Sequence, residues 1–148
     1  MKHAMTRAKA AAALGEVPIG AVIVKDGKIV SSGKNMREIK ANALLHAEIT
    51  AIDRACKRLG AWRLCDCTLY VTLEPCPMCA GALLLARVSR VVWGASDRQA
   101  GAMGSRLMLQ DAALLNWKAR TTSGVLKGEC EARLGEFFSR VREKKEDH

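Results

Sequence analysis

Two short motifs in this sequence combine residue types that bind metal ions and move protons. His46-Ala47-Glu48 lies at the start of a predicted helix, and Cys76 and Cys79 form a Cys-x-x-Cys pair flanked by Pro75 and Pro77. Imidazole and thiolate are ligands that Zn²⁺ prefers, and a catalytic zinc site keeps three protein ligands and one open position. Because the other two histidines lie at the chain ends, His46 is the candidate third ligand beside the two cysteines.

Glu48 is the candidate proton carrier of such a site. It follows His46 by two residues, so its side chain points to another side of the helix start and would reach a metal-bound water without being a ligand. Zinc lowers the pKa of that water toward ~7, and a carboxylate can pass its proton to a ring nitrogen and a leaving amine. The two motifs resemble the signature of zinc nucleobase deaminases, which implies hydrolytic deamination with zinc-bound hydroxide as the nucleophile and Glu48 as the proton shuttle.

Each of these residues also has an ordinary structural explanation when it is taken alone. A single His46 is commonly a half-buried side chain, and Glu48 in a first helical turn is commonly a surface residue favoured by the helix dipole. A lone Cys-x-x-Cys is equally a redox pair or half of a structural zinc site. A closed structural site needs two further ligands and leaves Glu48 without a role, so the combination favours a catalytic site. The other four cysteines are expected to be small buried apolar side chains, namely Cys56, Cys65, Cys67 and Cys130.

The elements that must position these motifs alternate between helix and strand. The length suits one domain over residues 1–148, without a linker or repeat. Strands that alternate with helices predict a sheet covered on both faces, which is an α/β fold. The predicted helices span residues 2–14, 46–59, 77–86, 107–115 and 127–143, and the predicted strands span residues 19–24, 28–32, 67–73, 90–93 and 119–122.

The charge distribution indicates a polyanionic partner. The formal net charge is +9, and residues 1–65 carry 12 Lys and Arg against 5 Asp and Glu. A positive field on one part of a fold is typical of nucleic-acid binding, although a generally basic surface is the simpler alternative. The longest apolar runs are shorter than the ~18 residues of a membrane-spanning helix, and the N-terminal stretch lacks a signal-peptide pattern. We therefore expect a cytoplasmic protein without membrane association.

Longer segments of the sequence carry a family resemblance. They are GEVPIGAV at 15–22, WRL at 62–64, TLYVTLEPCPMCAGA at 68–82, GAMGS at 101–105, GVL at 124–126 and the Phe137-Phe138 pair. Together with His46-Ala47-Glu48, they make nearly the whole chain resemble the bacterial tRNA-specific adenosine deaminases of the cytidine deaminase-like superfamily. The His-x-Glu and Pro-Cys-x-x-Cys motifs are the signature of zinc nucleobase deaminases.

This resemblance implies a three-layer α/β/α sandwich around a mixed five-stranded sheet. It also implies a homodimer with active sites near the subunit interface, and one Zn²⁺ per subunit held by His46, Cys76 and Cys79. The implied reaction converts the wobble adenosine of a tRNA anticodon to inosine and releases ammonia. The implied partner is therefore the anticodon stem-loop of a tRNA.

The resemblance also assigns substrate contacts by position. Asn35 stands where the family holds the target nucleoside, Asp97 stands near the sugar of the neighbouring nucleotide, and Asn116 stands in the base pocket. Asn35 is equally a candidate turn residue, and Asp97 is equally a candidate loop cap. Glu74 is expected to be a structural hydrogen-bond acceptor and not a second acid.

The sequence departs from the family pattern at positions near the expected substrate and not at the expected metal ligands. The four departures are Leu45, Gln99, Arg106 and Trp117. They keep open a deaminase of a free base or nucleoside, such as guanine or cytosine, which would need the same zinc ligands. A second alternative is a non-catalytic, zinc-stabilised RNA-binding module, in which Glu48 would have no chemical function.

Overall fold

A computed structural model describes residues 1–112 and 116–147, and its core is a five-stranded sheet in the order β2-β1-β3-β4-β5. The strands are β1 (Gly20–Lys25), β2 (Lys28–Lys34), β3 (Cys67–Leu73), β4 (Arg90–Ala95) and β5 (Arg120–Thr122). The α-helices are α1 (Lys2–Ala13), α2 (Ala47–Leu59), α3 (Pro77–Leu85) and α4 (Lys127–Glu146). β1 is antiparallel to both β2 and β3, whereas β3, β4 and β5 run parallel, so the predicted mixed sheet is confirmed.

Two apolar clusters bind the helices to the sheet and make the three layers. The larger one joins α2 and α3 to the central strands, through side chains such as Ala51, Leu83 and Val71. The smaller one joins α1 and α4 to the end of β4 through Met5 and Cys130. The predicted three-layer α/β/α sandwich is therefore confirmed, and each layer contributes a helix or a strand end to the region around His46.

The close packing of α2 on β2 depends on small residues. Ala47, Ala51 and Ala55 recur every four residues and are fully buried on the face of α2 that meets the sheet. Gly33 in β2 lies so close that a Cβ atom there would collide with the carbonyl oxygen of Ala47. This contact sets the first turn of α2, which begins directly after His46.

The β1–β2 hairpin has the predicted turn. Asp26 and Gly27 both have positive φ angles, of 51° and 73°, as a two-residue hairpin turn requires. β2 extends two residues beyond the predicted end, to Lys34, so that Asn35 follows directly at the end of the sheet's edge strand. The hairpin thereby delivers Asn35 to the same edge region as the start of α2.

The helix predicted over residues 107–115 is wrong in the part that the structure describes. Only a 3₁₀ turn, Leu109–Asp111, is present there, and residues 113–115 lie outside the described residues. Met108 forms an antiparallel bridge with Met103, the Leu109 amide donates to the carbonyl of Ala102, and the Gln110 side chain donates to the carbonyl of Met103. These tertiary contacts tie residues 108–110 to the neighbouring segment at 102–103, and this packing overrides the local helix propensity.

Within the two described ranges, no helix has both the length and the apolar character needed to cross a membrane.

Candidate active site

The three predicted metal ligands lie at the starts of two neighbouring helices. His46 precedes α2 in an extended conformation, and Cys76 precedes α3 in the same way, with Pro77 as the first helical residue. Cys79 follows in the first turn of α3. Proline suits this first helical position because its missing N–H would have no partner there. The two helix starts converge because α2 and α3 pack against each other on one face of the sheet.

The geometry of the three side chains fits a tetrahedral zinc ion. His46 Nδ1 lies 3.6 Å from Cys76 Sγ and 3.6 Å from Cys79 Sγ. Zn–S and Zn–N bonds of ~2.3 and ~2.0–2.1 Å at a tetrahedral angle would separate the same two atoms by about 3.6 Å. The three ligand atoms all lie within 4.8 Å of one another. The cluster can therefore hold a metal ion without a rearrangement of the two helices.

The two thiols have opposite pKa shifts. Hydrogen bonds from Cys79 and His46 lower the pKa of Cys76 to about 4, whereas the hydrogen bond to Cys76 and burial raise the pKa of Cys79. The hydrogen bond to Cys76 also raises the pKa of His46. Cys76 is thus a thiolate that is stabilised by neighbouring donors, and a cation bound at the same point would replace their protons.

Glu48 lies in the first turn of α2 and is only 4% exposed. Burial raises the pKa of its carboxyl group to about 7, against an ordinary value of 4.5. A carboxyl group with a pKa near neutrality can both accept and donate a proton under working conditions. The Glu48 carboxyl group could therefore carry protons by itself.

A cavity of about 320 Å³ opens beside these residues. Of the residues predicted from sequence, Asn35, His46, Glu48 and Asp97 line it together. Asn116 does not, since it lines a separate pocket with Trp117. The remaining lining residues are Val17, Ile19, Arg37, Ala47, Gln99 and Phe138. The sequence alone does not identify four of these as site residues, namely Val17, Ile19, Arg37 and Phe138. Val17, Ile19 and Phe138 nevertheless belong to segments that carry the family resemblance.

Asn35 and Asp97 have local hydrogen bonds in addition to their place in the cavity wall. Asn35 Oδ1 accepts from the Arg37 amide at 3.2 Å, and Asn35 Nδ2 donates to the carbonyl of Val17 at 3.4 Å. Asp97 Oδ1 accepts from the amides of Gln99 and Ala100 at 3.0 and 3.1 Å. The turn and loop-cap interpretations are therefore correct as descriptions of the fold. They leave both side chains facing the cavity, where their part in binding substrate stays a prediction.

Glu74 holds the loop that carries Asp97. Its buried carboxylate accepts hydrogen bonds from the amides of Asp97, Met103 and Ser105 and from the Ser105 hydroxyl. Gly101 lies directly against this carboxylate, and a Cβ atom at that position would collide with it. Glu74 is thus a structural acceptor, as expected, and positions one wall of the cavity.

Replacing Glu74 with glutamine should lower the free energy of unfolding by about 2–3 kcal/mol, because buried donors would lose an acceptor. For a chain of this size the melting temperature should fall by about 4–12 °C. Differential scanning calorimetry measures both quantities. Glu38→Gln, on an exposed side chain, is the matched control and should melt within about 1–2 °C of the wild type. Equal melting temperatures for the two variants would contradict the anchoring function.

A second buried carboxylate, that of Glu16, holds the loop between β2 and α2. Glu16 is 1% exposed, and its Oε1 accepts from the Ile39 amide at 2.7 Å. The loop between β2 and α2 is closed by a hydrogen bond from the Met36 amide to the carbonyl of Leu45. This loop, residues 36–45, therefore stands as a fixed rim beside His46.

Comparisons with known proteins agree with the fold. The sequence model of the MafB19-like deaminase family matches residues 1–142, which is nearly the whole chain. The fold and the candidate site thus define a deaminase, a hydrolytic enzyme.

Individual relatives narrow that class. The tRNA-specific adenosine deaminase of Bacillus subtilis is 50% identical over 98% of this chain and 90% of its own length. A structure from a study of A-to-I editing by tRNA:A34 deaminases at the wobble position of transfer RNA superimposes with a TM-score of 0.88, at 38% identity, over 90% of this chain and 97% of that one. A guanine deaminase from Bacillus subtilis aligns over a smaller share, 64% of this chain and 61% of that one, with 47% identity and a TM-score of 0.61. The chain belongs to the tRNA-specific adenosine deaminase family.

Proposed function

We propose that this protein is a single deaminase domain, residues 1–148, that converts the wobble adenosine of a tRNA anticodon to inosine and releases ammonia. The observation that carries the proposal is the buried Glu48, which lines an open cavity together with His46 of the His46, Cys76 and Cys79 cluster. The family's own members support the choice of adenosine in tRNA.

We propose Zn²⁺ as the metal, one per subunit. The donor set of one imidazole and two thiols is the one that zinc prefers, and three protein ligands leave a fourth position open. The two Nδ1–Sγ separations of 3.6 Å equal the separation that zinc bond lengths and a tetrahedral angle would give. A zinc ion held there would act as a Lewis acid that lowers the pKa of a water molecule to ~7.

Glu48 would then move two protons during the reaction. Its carboxylate takes one proton from the water that attacks C6 of adenine and donates it to N1 of the ring. It takes the second water proton and donates it to the exocyclic nitrogen, so that the C6–N bond breaks and ammonia leaves. Adenosine and water are thereby converted to inosine and ammonia with no net consumption of protons by the enzyme. The pKa of about 7 suits both directions of transfer.

The cavity wall would hold the nucleoside that enters. In this proposal, the Asn35 side chain binds the target nucleoside, and Asp97 lies at the sugar of its neighbour. Asn116, the third contact expected from the resemblance, lines a separate pocket with Trp117 and has no part in this proposal. A volume of about 320 Å³ lies within the range of small-ligand pockets. A base must leave its stack to reach such a cavity, which a single-stranded anticodon loop permits at low cost.

The charge of the molecule favours RNA over a free base. Residues 1–65 carry 12 Lys and Arg against 5 Asp and Glu, and Arg37 lies in the cavity wall itself. Phosphate contacts dominate the affinity of nucleic-acid complexes, whereas an enzyme for a neutral free base gains nothing from such a field. The expected partner is the anticodon stem-loop.

We also propose a homodimer, as in the family resemblance. Several large apolar side chains are exposed on α3 and on loops between the elements, and burial in a subunit interface would remove them from water. They include Leu44, Trp62, Leu85, Leu107 and Met108.

A substrate panel tests the function. Purified zinc-loaded protein is incubated with an anticodon stem-loop bearing a wobble adenosine and, separately, with guanine, cytosine, adenosine and cytidine, and ammonia release is measured. We expect turnover of the RNA alone, with binding that weakens as salt is raised. Turnover of guanine or cytosine without turnover of the RNA would replace the proposal with a free-base deaminase.

A further inference from the structure

A second concave surface shares a wall with the active-site cavity. This surface, the basic groove, has a volume of about 220 Å³. Its lining residues are Arg7, Lys34, Met36, Lys40, Leu45, Thr50 and Arg54. Four of these seven side chains are cationic, and none is acidic.

The shared wall is a single layer of backbone. Lys34 lines the groove while Asn35 lines the cavity, and Leu45 lines the groove while His46 lines the cavity. Consecutive Cα atoms are only ~3.8 Å apart, so the two surfaces are separated by about one residue at each of these points. The groove therefore opens next to the cavity, on the other side of the rim that Lys34–Asn35 and Leu45–His46 form.

The groove's positive charges are not neutralised by the protein. Among residues 1–112 and 116–147, the ion pairs involve other cations, at Arg37, Lys57, Lys127 and Arg133. Of the elements that line the groove, α1 and β2 contain no acidic residue. In the other two, the loop 36–45 and α2, the exposed carboxylates of Glu38 and Asp53 pair with Arg37 and Lys57, which do not line the groove. The Nε atom of Arg7 is buried and has no hydrogen-bond partner within the described part of the chain. Cations that converge without carboxylates create a local positive potential that attracts an anion.

We infer that the basic groove binds the phosphate backbone of the RNA strand next to the target nucleotide. This inference rests on the proposed function, because it takes the ligand in the cavity to be one residue of an RNA chain. A groove of cations that follows the backbone is how proteins hold single-stranded nucleic acid without reading its sequence. The groove therefore supplies affinity, while the cavity supplies the choice of base.

The test compares two double variants with the same change in charge. Arg7→Gln/Lys40→Gln removes two groove cations, and the control Lys28→Gln/Arg58→Gln removes one arginine and one lysine exposed elsewhere. Binding of the anticodon stem-loop is measured by fluorescence anisotropy at several salt concentrations. Two lost phosphate contacts should reduce the slope of log K against log salt by about 1.4 and raise Kd about 10–30-fold at ~0.1 M salt.

The control pair should change Kd by less than about twofold. The charge-preserving variant Arg7→Lys/Lys40→Arg should restore most of the affinity, which separates charge from a folding defect. Equal losses of affinity in the groove variant and the control variant would show that the overall positive charge of the protein, and not the groove, attracts the RNA. That result would overturn the inference but not the proposed function. A wild-type protein that fails to bind the stem-loop even at low salt would overturn the proposed function, and the inference with it.

Discussion

Glu48→Ala should retain its metal ion and its fold but lose turnover by about 10³-fold or more, at the upper part of the range for general acid–base catalysis. The Glu48 side chain is buried and is not part of the cluster of His46, Cys76 and Cys79, so its removal leaves the three proposed metal ligands in place. Because the same carboxyl group is proposed to carry both protons, no second residue would replace it. Inductively coupled plasma mass spectrometry measures the zinc content of the variant, and single-turnover kinetics measure its rate of deamination.

Glu131→Ala is the matched control for this experiment, since its carboxylate is exposed on α4 and lies outside the cavity wall. It should turn over within about twofold of the wild type, as substitutions away from buried features generally do. Glu48→Gln adds a second check, because it preserves the volume of the side chain while it removes the basic oxygen. Turnover retained in either Glu48 variant would contradict the proton-shuttle assignment, because another group would then have to carry the protons.

Cys76→Ser should abolish zinc binding and activity together. The pKa of Cys76 is lowered to about 4, so its side chain is a thiolate at neutral pH and can bind a cation without first losing a proton. A serine hydroxyl in its place has a far higher pKa and is a poor zinc ligand. We expect less than about 0.1 zinc per subunit after dialysis, since apparent binding energies of structural zinc reach ~10–16 kcal/mol only with the full ligand set.

Cys56→Ser is the control here, because Cys56 lies on α2 away from the cluster of His46, Cys76 and Cys79. It should retain about one zinc per subunit and normal turnover. Removal of zinc from the wild type with a chelator should likewise stop the reaction, and added zinc should restore it. A Cys76→Ser variant that retains stoichiometric zinc would show that the ion is bound elsewhere.

The clustering of His46, Cys76 and Cys79 could be predicted from sequence because it depends on local rules. A histidine just before α2 and a Cys-x-x-Cys at the start of α3 each place their side chains at a helix start. Only one long-range fact was needed, namely that these two helices are neighbours, and the family resemblance supplied it. Glu74 was likewise interpreted correctly, since a carboxylate before Pro75 has loop amides within reach.

The rest of the cavity could not be predicted in the same way. Phe138 reaches it from α4 and Val17 from the segment before β1, positions that tertiary packing brings together and that have no common spacing. The wrong helix at residues 107–115 has a related cause, because hydrogen bonds to Ala102 and Met103 override local propensity. The basic groove shows the same limit: the charge excess of residues 1–65 was visible in the sequence, but the convergence of Arg7 with Arg54 was not.

The most direct test of the central claim is to locate the product on the RNA. A tRNA with a wobble adenosine is incubated with the zinc-loaded wild type, digested to nucleosides and short fragments, and mapped for inosine by mass spectrometry. We expect one adenosine, that of the wobble position, to become inosine, and no change with Glu48→Ala. An unmodified wobble position, or inosine spread over other adenosines of the tRNA, would contradict the account.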